Sequence, residues 1–561
     1  MMEGGYSDTE LMPTLAEDPA LGLSHRAKME ILFAVMLGLF LGALDQTIVG
    51  PALPTIATQL LGNDLYVWAI TIYLLTSTIS VPFWGKLSDL YGRKPMFMIG
   101  IVIFLIGSAL SGLSQNMSML ILFRGIQGIG AGSLFPVALA VIGDLFTPAE
   151  RGKYQGLFGA VFGIAFLIGP GLGGFLTDNF SWHWVFFVNL PIGMLALAVI
   201  GRLLPNIKGR RRDIRIDYLG VITLTLGLMP ILVGLTVAET SQWSDPAVWG
   251  SIAAGVVFLA VFVMVEARAA EPIIPLHLFR NRTFSASMVS IFLATFGFGA
   301  AIIFLPLYFQ IVEGSSATAS GYKLLPFLVG LIISSIASGI IVSRTGRYKA
   351  VVLVGLVIMA IGLALMTNLR ADTSDLLLSG WMFVAGLGVG PTFAVFTIIV
   401  QNAVPFSELG AATSDLTLFR QIGTTMGLTL AFTFFRDNLT WGLLHDQIVA
   451  AGAPAALVPT SPPAGFDLGQ LTSVTSNGDP LAFVSQLPAQ FQPAFIQGFH
   501  QAFTIALANS MLLGVGAAVL AVIASLVLKE LRLRTHVGAE PETDGKPGSE
   551  TARLTGVPAP D

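Results

Sequence analysis

The chain has 561 residues, of which 54% are hydrophobic and 11% charged, with a mean hydropathy of +0.78 and a formal net charge of -4. That apolar share excludes an ordinary water-soluble domain, and the charge balance offers no basic footprint for nucleic acid. Cysteine is absent and the six histidines are scattered, which excludes disulfides and Cys-based metal or redox sites; no cofactor is expected.

Residues 1–30 are acidic and polar, unlike a cleavable signal peptide, so they read as a cytoplasmic segment and the first apolar helix as its own anchor. Apolar runs then fall at 31–53, 66–84, 96–114, 117–143, 154–177, 183–204, 218–237, 249–267, 284–310, 321–342, 350–368, 377–401, 411–435 and 503–528. Most reach roughly 20 residues, which at about 1.5 Å per residue crosses a hydrocarbon core of about 30 Å. Unpaired backbone cannot face lipid and barrel-type alternation is missing, so the expectation is an all-α polytopic membrane protein with fourteen spans. With both termini cytoplasmic, the inner segments hold 24 of the 29 Lys and Arg, while the outer loops hold two, Arg370 and Arg436. This is the positive-inside bias such a topology requires.

The same order contains a repeat. GKLSDLYGRKP at 85 recurs weakly as GIIVSRTGRYK at 339, GIGAG at 128–132 matches GLGVG at 386–390, and Gly152 and Gly169 match Gly410 and Gly427. The offset is longer than six helices, so residues 31–205 and 284–530 read as two six-helix halves and 206–283 as an inserted helix pair. Related halves that move about a central site are a common design of secondary transporters.

Candidate functional residues follow the chain. Asp45, in LDQTIVGPALPTIA, lies roughly 13 Å below the outer end of its helix by helical rise, where an ionised carboxylate is costly and is kept mostly for function. Arg124, in RGIQGIGAG, sits at a similar depth in the fourth span. The two could form a pair that trades a proton for a cationic substrate, or a fixed salt bridge that only positions helices. Gln46, Gln127 and Gln421 are further polar candidates for the cavity. GIAFLIGPGLGGFLTD supplies Gly163, Gly169, Pro170, Gly171, Gly173 and Gly174; such a run gives a smooth helix face, and the proline removes a backbone donor. In TSDLTLFRQIG, Arg420 falls near mid-membrane and must face a cavity or a partner. Asp415, five residues away, is too far round the helix for an ideal pair, which leaves substrate, lipid or an acid on another helix. The outer segment 436–502 is rich in Pro, Gly, Ser and Thr and then in amphipathic turns; it reads as a spacer, with a guide for hydrophobic substrate or a periplasmic or cell-wall contact as alternatives. Residues 531–561 read as a disordered cytoplasmic tail.

Four of these stretches, LDQTIVGPALPTIA, GKLSDLYGRKP, RGIQGIGAG and GPGLGG, occur in an order that resembles the major facilitator superfamily, specifically its fourteen-helix drug:proton antiporters of the QacA and EmrB type. The resemblance is closest over 31–205 and weaker to 530. It implies that Gly85, Asp89, Gly92 and Arg93 form a cytoplasmic latch with Asp144 as the partner of Arg93, that the glycine-rich fifth span belongs to antiport, and that Asp45 and Arg124 serve coupling. Leu90 and Ser343 depart from the family pattern, so the latch is expected to be asymmetric. The cations of this loop alone would be explained as topology signals, but Asp89 would not. The function implied is proton-coupled efflux of hydrophobic or cationic compounds across a bacterial plasma membrane by alternating access, with lipid or glycolipid export on the same fold as the second reading. No nucleotide-binding GxxxxGK[ST] loop is present, and no catalytic or metal residues are expected.

Overall fold

Backbone groups that cannot reach water must bond within their own segment, and each long apolar run is accordingly a helix. The computed structural model describes residues 23–62, 65–205, 217–240, 245–455 and 492–531, with 458, 460, 461 and 533 besides. First come α1 (His25–Gln59), α2 (Tyr66–Tyr91), α3 (Arg93–Gly112), α4 (Met117–Leu145), α5 (Pro148–Asn179), the single turn α6 (Trp184–Phe187) and α7 (Asn189–Leu203). Next are α8 (Tyr218–Thr240) and α9 (Pro246–Glu266), then α10 (Arg282–Ile311), α11 (Ala317–Lys323), α12 (Leu325–Thr345) and α13 (Tyr348–Met366). The chain closes with α14 (Asp375–Ala403), α15 (Leu409–Asn438), α16 (Trp441–Ala450) and α17 (Gln492–Leu526). Side chains of Ser24, Asn116, Asn281, Ser316 and Thr440 accept first-turn backbone N–H groups and fix where helices begin. Thr147 and Glu150 make a capping box at the start of α5.

Twelve of these helices are long and apolar enough to cross a membrane, and the protein is an all-α polytopic membrane protein. The two long helices outside that set are α2 and α15; in α15 Ser, Thr and charged residues (TSDLT and FRQIGTT) dilute the apolar character. Residues 492–502, expected as short amphipathic turns, instead begin the 35-residue helix α17. The expectations for 1–22, 462–491 and 534–561 lie outside the described residues.

The neighbour pattern occurs twice. In the first part α2 and α3 pack on α4, α1 on α5, and α7 on α1 and α3; in the second part α12 and α13 pack on α14, α10 on α15, and α17 on α10 and α13. Two apolar cores serve the first set and one serves the second. Because lipid is as apolar as leucine, close packing rather than apolar burial holds such helices together, and small residues sit where the axes approach. Helix α8 lies against both α2 and α15, while α9 packs on α8 and turns Val256 and Val257 outward.

The two sets meet at two crossings near the end where α2 runs into α3. At one, a Cβ on Gly85 of α2 would strike Ser414 and the Gly410 carbonyl of α15; at the other, Gly152 of α5 and Gly339 of α12 each face the carbonyl oxygen of the other. The repeat is visible in this pairing, since Gly85 aligns with Gly339 and Gly152 with Gly410.

Candidate functional site

Helices α1, α3, α4 and α7 converge on Asp45, which is fully buried. One carboxylate oxygen, Oδ2, accepts from the Arg124 guanidinium at 2.6 Å. Oδ1 accepts from Gln127 Nε2 at 2.7 Å and from Asn189 Nδ2 at 2.8 Å. Arg124 also donates to Gln127 Oε1 at 2.8 Å and to the Ala69 carbonyl at 3.3 Å, and its guanidinium stacks 4.0 Å from the Tyr73 ring. Arg124 and Gln127 reach the same carboxylate because residues three apart share a helix face. Asn189 is held in turn by Ser108, whose hydroxyl donates to the Phe186 carbonyl at 2.9 Å. The carboxylate thus takes three short, charge-assisted bonds in a dry setting, where each is strongest.

The structure therefore brings Asp45 and Arg124 together and draws Gln127 into their network. Gln127 is fully buried and does not line open space, contrary to the sequence expectation. Gln46, the next residue of α1, is exposed. Asn189, in VNLPIG, is the partner that the sequence alone did not single out; a lone asparagine at the start of a spanning helix was the available signal.

A second polar assembly sits at the α2–α3 end. Gly92, with φ of 98°, turns the chain directly from α2 into α3, a left-handed conformation that glycine adopts without a Cβ clash. The turn folds Arg93 back, so that it meets Asp89 at 2.5 Å, Asp144 Oδ2 at 2.8 Å and Ser88 Oγ at 2.7 Å. Asp89 in turn accepts from the backbone N–H groups of Gly410 at 3.0 Å and Ala411 at 2.8 Å, in the first turn of α15. Those first N–H groups have no partner inside their helix, and the dipole there favours an anion. A carboxylate on α2 therefore caps a helix of the other set.

Further ties surround it. Lys86 pairs with Glu271 at 2.8 Å, His277 meets Glu408 at 3.0 Å, and Asn281 donates to the Ala403 carbonyl at 3.0 Å, so the segment between α9 and α10 is fastened to both sets. Deeper in, Gln401 of α14 accepts from Gln155 of α5 at 2.9 Å and donates to the Leu139 carbonyl of α4 at 3.1 Å. Lys86 stood in the sequence only as a topology cation; Glu271, Gln155 and Gln401 carried no sequence signal.

The glycine-rich run of α5 lies among three neighbours, α1, α11 and α12. Gly169 and Gly173 face Thr47 and Ile48 of α1, while Gly163 faces Ile332 of α12, Gly171 and Gly174 face Tyr322 and Thr318 of α11, and Pro170 abuts Gly321. Arg420 of α15 has its guanidinium 4.9 Å from the Phe393 ring and only a long, 3.5 Å bond to the Thr392 carbonyl. Its Nε and the Oε1 of neighbouring Gln421 are buried without a hydrogen-bond partner, as are both carboxylate oxygens of Asp415.

Comparison with known proteins agrees with this architecture. Residues 35–428 match the family described as Major Facilitator Superfamily. The chain is 39% identical over 422 residues to multidrug transporter protein MdtP of Bacillus subtilis, covering 75% of this chain and 77% of that protein. It is 36% identical over 449 residues to multidrug resistance protein 3 of the same organism, covering 79% and 87%. Among solved structures, the human organic anion transporter MFSD10 (TETRAN) superimposes with a TM-score of 0.54 at 15% identity, over 88% of this chain and 99% of the other; at that identity the likeness concerns the fold alone.

Proposed function

The chain belongs to the major facilitator superfamily, as a transporter and not an enzyme, and from that premise we propose that it exports hydrophobic compounds in exchange for protons. The observation that carries this reading is the buried Asp45–Arg124 pair. Protonating Asp45 would remove the only anion bound to Arg124 among the described residues, so a proton on Asp45 and the closed pair are alternatives. A transporter can couple such a switch to the movement of its halves. Two relatives named for multidrug transport or resistance support the choice of cargo.

In this reading residues 31–205 and 284–530 are the moving halves and 206–283 the inserted pair. Helices α2 and α15 also cross, screened from lipid by α8 and α4, which brings the count to fourteen and the chain into the drug:proton antiporter branch. The α2–α3 end faces the cytoplasm of a bacterial cell, and the Asp89, Arg93 and Asp144 latch keeps that end shut while the other admits protons and releases cargo. The glycines of α5 let α1, α11 and α12 close tightly around it and limit leak. A cationic cargo would have to take Asp45 from Arg124, since no carboxylate of the described residues in the membrane interior is both exposed and unpaired. The second reading, lipid export, rested on the outer segment 436–502, of which 436–455, 458, 460, 461 and 492–502 are described; no further observation favours it.

The test is uptake of a hydrophobic dye by inside-out proteoliposomes of the full-length protein under an imposed proton gradient. Accumulation that collapses when nigericin dissipates the gradient is expected. Equal uptake with and without the gradient would remove proton coupling.

A further inference from the structure

Among the described residues, two guanidinium groups of the membrane interior stand in very different circumstances. Arg124 is saturated by Asp45, Gln127 and the Ala69 carbonyl and is 2% exposed. Arg420 has no carboxylate within ion-pair distance among the described residues, one long bond to a carbonyl, and a buried Nε without a partner. Its side chain is partly exposed. A cation in that setting is costly unless something meets it. Asp415 does not, because five residues along an α-helix turn the two side chains about 140° apart, and Asp415 is itself fully buried.

One aromatic ring stands against Arg420, and others continue from it. The Phe393 ring beneath its guanidinium lies 5.6 Å from Phe162 and 6.3 Å from Phe298, and Phe162 lies 4.9 Å from Phe135. Those four rings come from α14, α5, α10 and α4, so the wall they form spans both helix sets and ends on the Arg420 guanidinium. We infer that Arg420 and this wall are a binding subsite for an amphiphilic organic anion, with the carboxylate, sulfonate or phosphate on Arg420 and the apolar body along Phe393, Phe162 and Phe135. Guanidinium suits such heads because its forked donors match their geometry and because it keeps its charge when dehydrated. The stacked Phe393 fixes the plane of the fork before the ligand arrives.

This inference rests on the exporter reading and narrows its cargo: of two sites in the membrane interior, one is electrically closed and the other presents positive charge. The site therefore selects for negative heads and against positive ones.

The experiment titrates the full-length protein, reconstituted in phosphatidylcholine nanodiscs, with 1-pyrenebutyrate, 1-pyrenebutanol and 1-pyrenebutylamine, which share an apolar body and differ in head charge. The carboxylate is expected to bind tightest and the amine weakest. Arg420→Gln is expected to weaken the carboxylate about tenfold or more, the scale of a hydrogen bond to a charged group, and to leave the alcohol within about twofold. Arg420→Lys should restore part of the preference. Phe393→Leu, which keeps the charge, should weaken all three alike. A carboxylate that binds no tighter than the alcohol in the wild type overturns the inference whether or not Arg420→Gln folds, as does a uniform loss for all three probes in that variant. Repeating the titration with phosphatidylglycerol in the nanodisc separates two sources of the same chemistry: competition assigns the subsite to an anionic lipid head, and no competition assigns it to a soluble amphiphile. Binding of alcohol and amine with probe-driven proton flux but no carboxylate preference leaves the exporter and removes the anion site; no binding and no flux with any probe removes both.

Discussion

Asp45 illustrates how a buried charge is made tolerable at the scale of single residues. Three donors from two other helices share its two oxygens, and removing any one strands the rest in a medium that cannot replace it. A buried ion pair adds little net stability, but half of one is expensive. Arg124→Gln is therefore expected to lower the unfolding free energy by about 3–5 kcal/mol, and adding Asp45→Asn should recover part of that loss; thermal unfolding of both variants in detergent checks it, and a double variant no more stable than the single would contradict it. Asn189→Ala deletes one 2.8 Å bond to a charged acceptor and should cost about 1.5–3 kcal/mol by the same assay. The sequence identified Asp45 and Arg124 because intramembrane charge is rare enough to notice. It did not identify Asn189, and it set Gln127 in open space, because a lone amide has no periodic signature and its partner is chosen by how helices pack.

Helices meet where side chains are small, and the two crossings that shut the α2–α3 end are made of glycine against glycine and glycine against serine. A Cβ at Gly152 or Gly339 would strike the facing backbone carbonyl, which cannot rotate away. Gly152→Ala is expected to destabilise this closed arrangement by about 1–3 kcal/mol, the usual scale of overpacking. The chain contains no cysteine, so spin labels placed at one cysteine on α5 and one on α12 report that crossing without background. A longer, broader distance distribution in Gly152→Ala is the expected result, and an unchanged one would refute the contact. The glycines of these crossings were legible as a repeat at an offset near 256 residues, but not as the places where the helices cross. Element types were legible throughout, since uninterrupted apolar length leaves a membrane chain no alternative to helix. The fourteen spans read from the sequence include the runs 66–84 and 411–435, which form α2 and α15; these two helices carry hydroxyls and charge and pack on each other and on α8.

For the whole molecule, one carboxylate on the first half caps a helix of the second. Asp89 meets Arg93 on its own side and the first N–H groups of α15 on the other, so its charge favours closure of this end. Asp89→Asn keeps the shape and removes the charge, an effect on the order of 1–2 kcal/mol from the helix dipole in a partly buried setting, which moves an open-to-closed equilibrium about tenfold. Labels at the end of α2 and the start of α15 should show the open population rise, and no change would assign the Asp89 contacts to structure alone. The loop was the most legible feature of the sequence because four charges in eleven residues stand out in so apolar a chain. Its second attachment, through Lys86 to Glu271 and through His277 to Glu408, was not legible, because these partners lie 185 and 131 residues apart and only the folded chain brings them together.

In the exporter reading Asp45 exchanges a proton as cargo moves. The most direct measurement is substrate-dependent proton flux into proteoliposomes that enclose a pH indicator, for wild type and Asp45→Asn, with cargo binding and folding verified for both. Flux in the wild type that vanishes in a variant still able to bind cargo is the predicted result. Equal flux in the two would contradict the account and leave the Asp45–Arg124 pair a fixed strut.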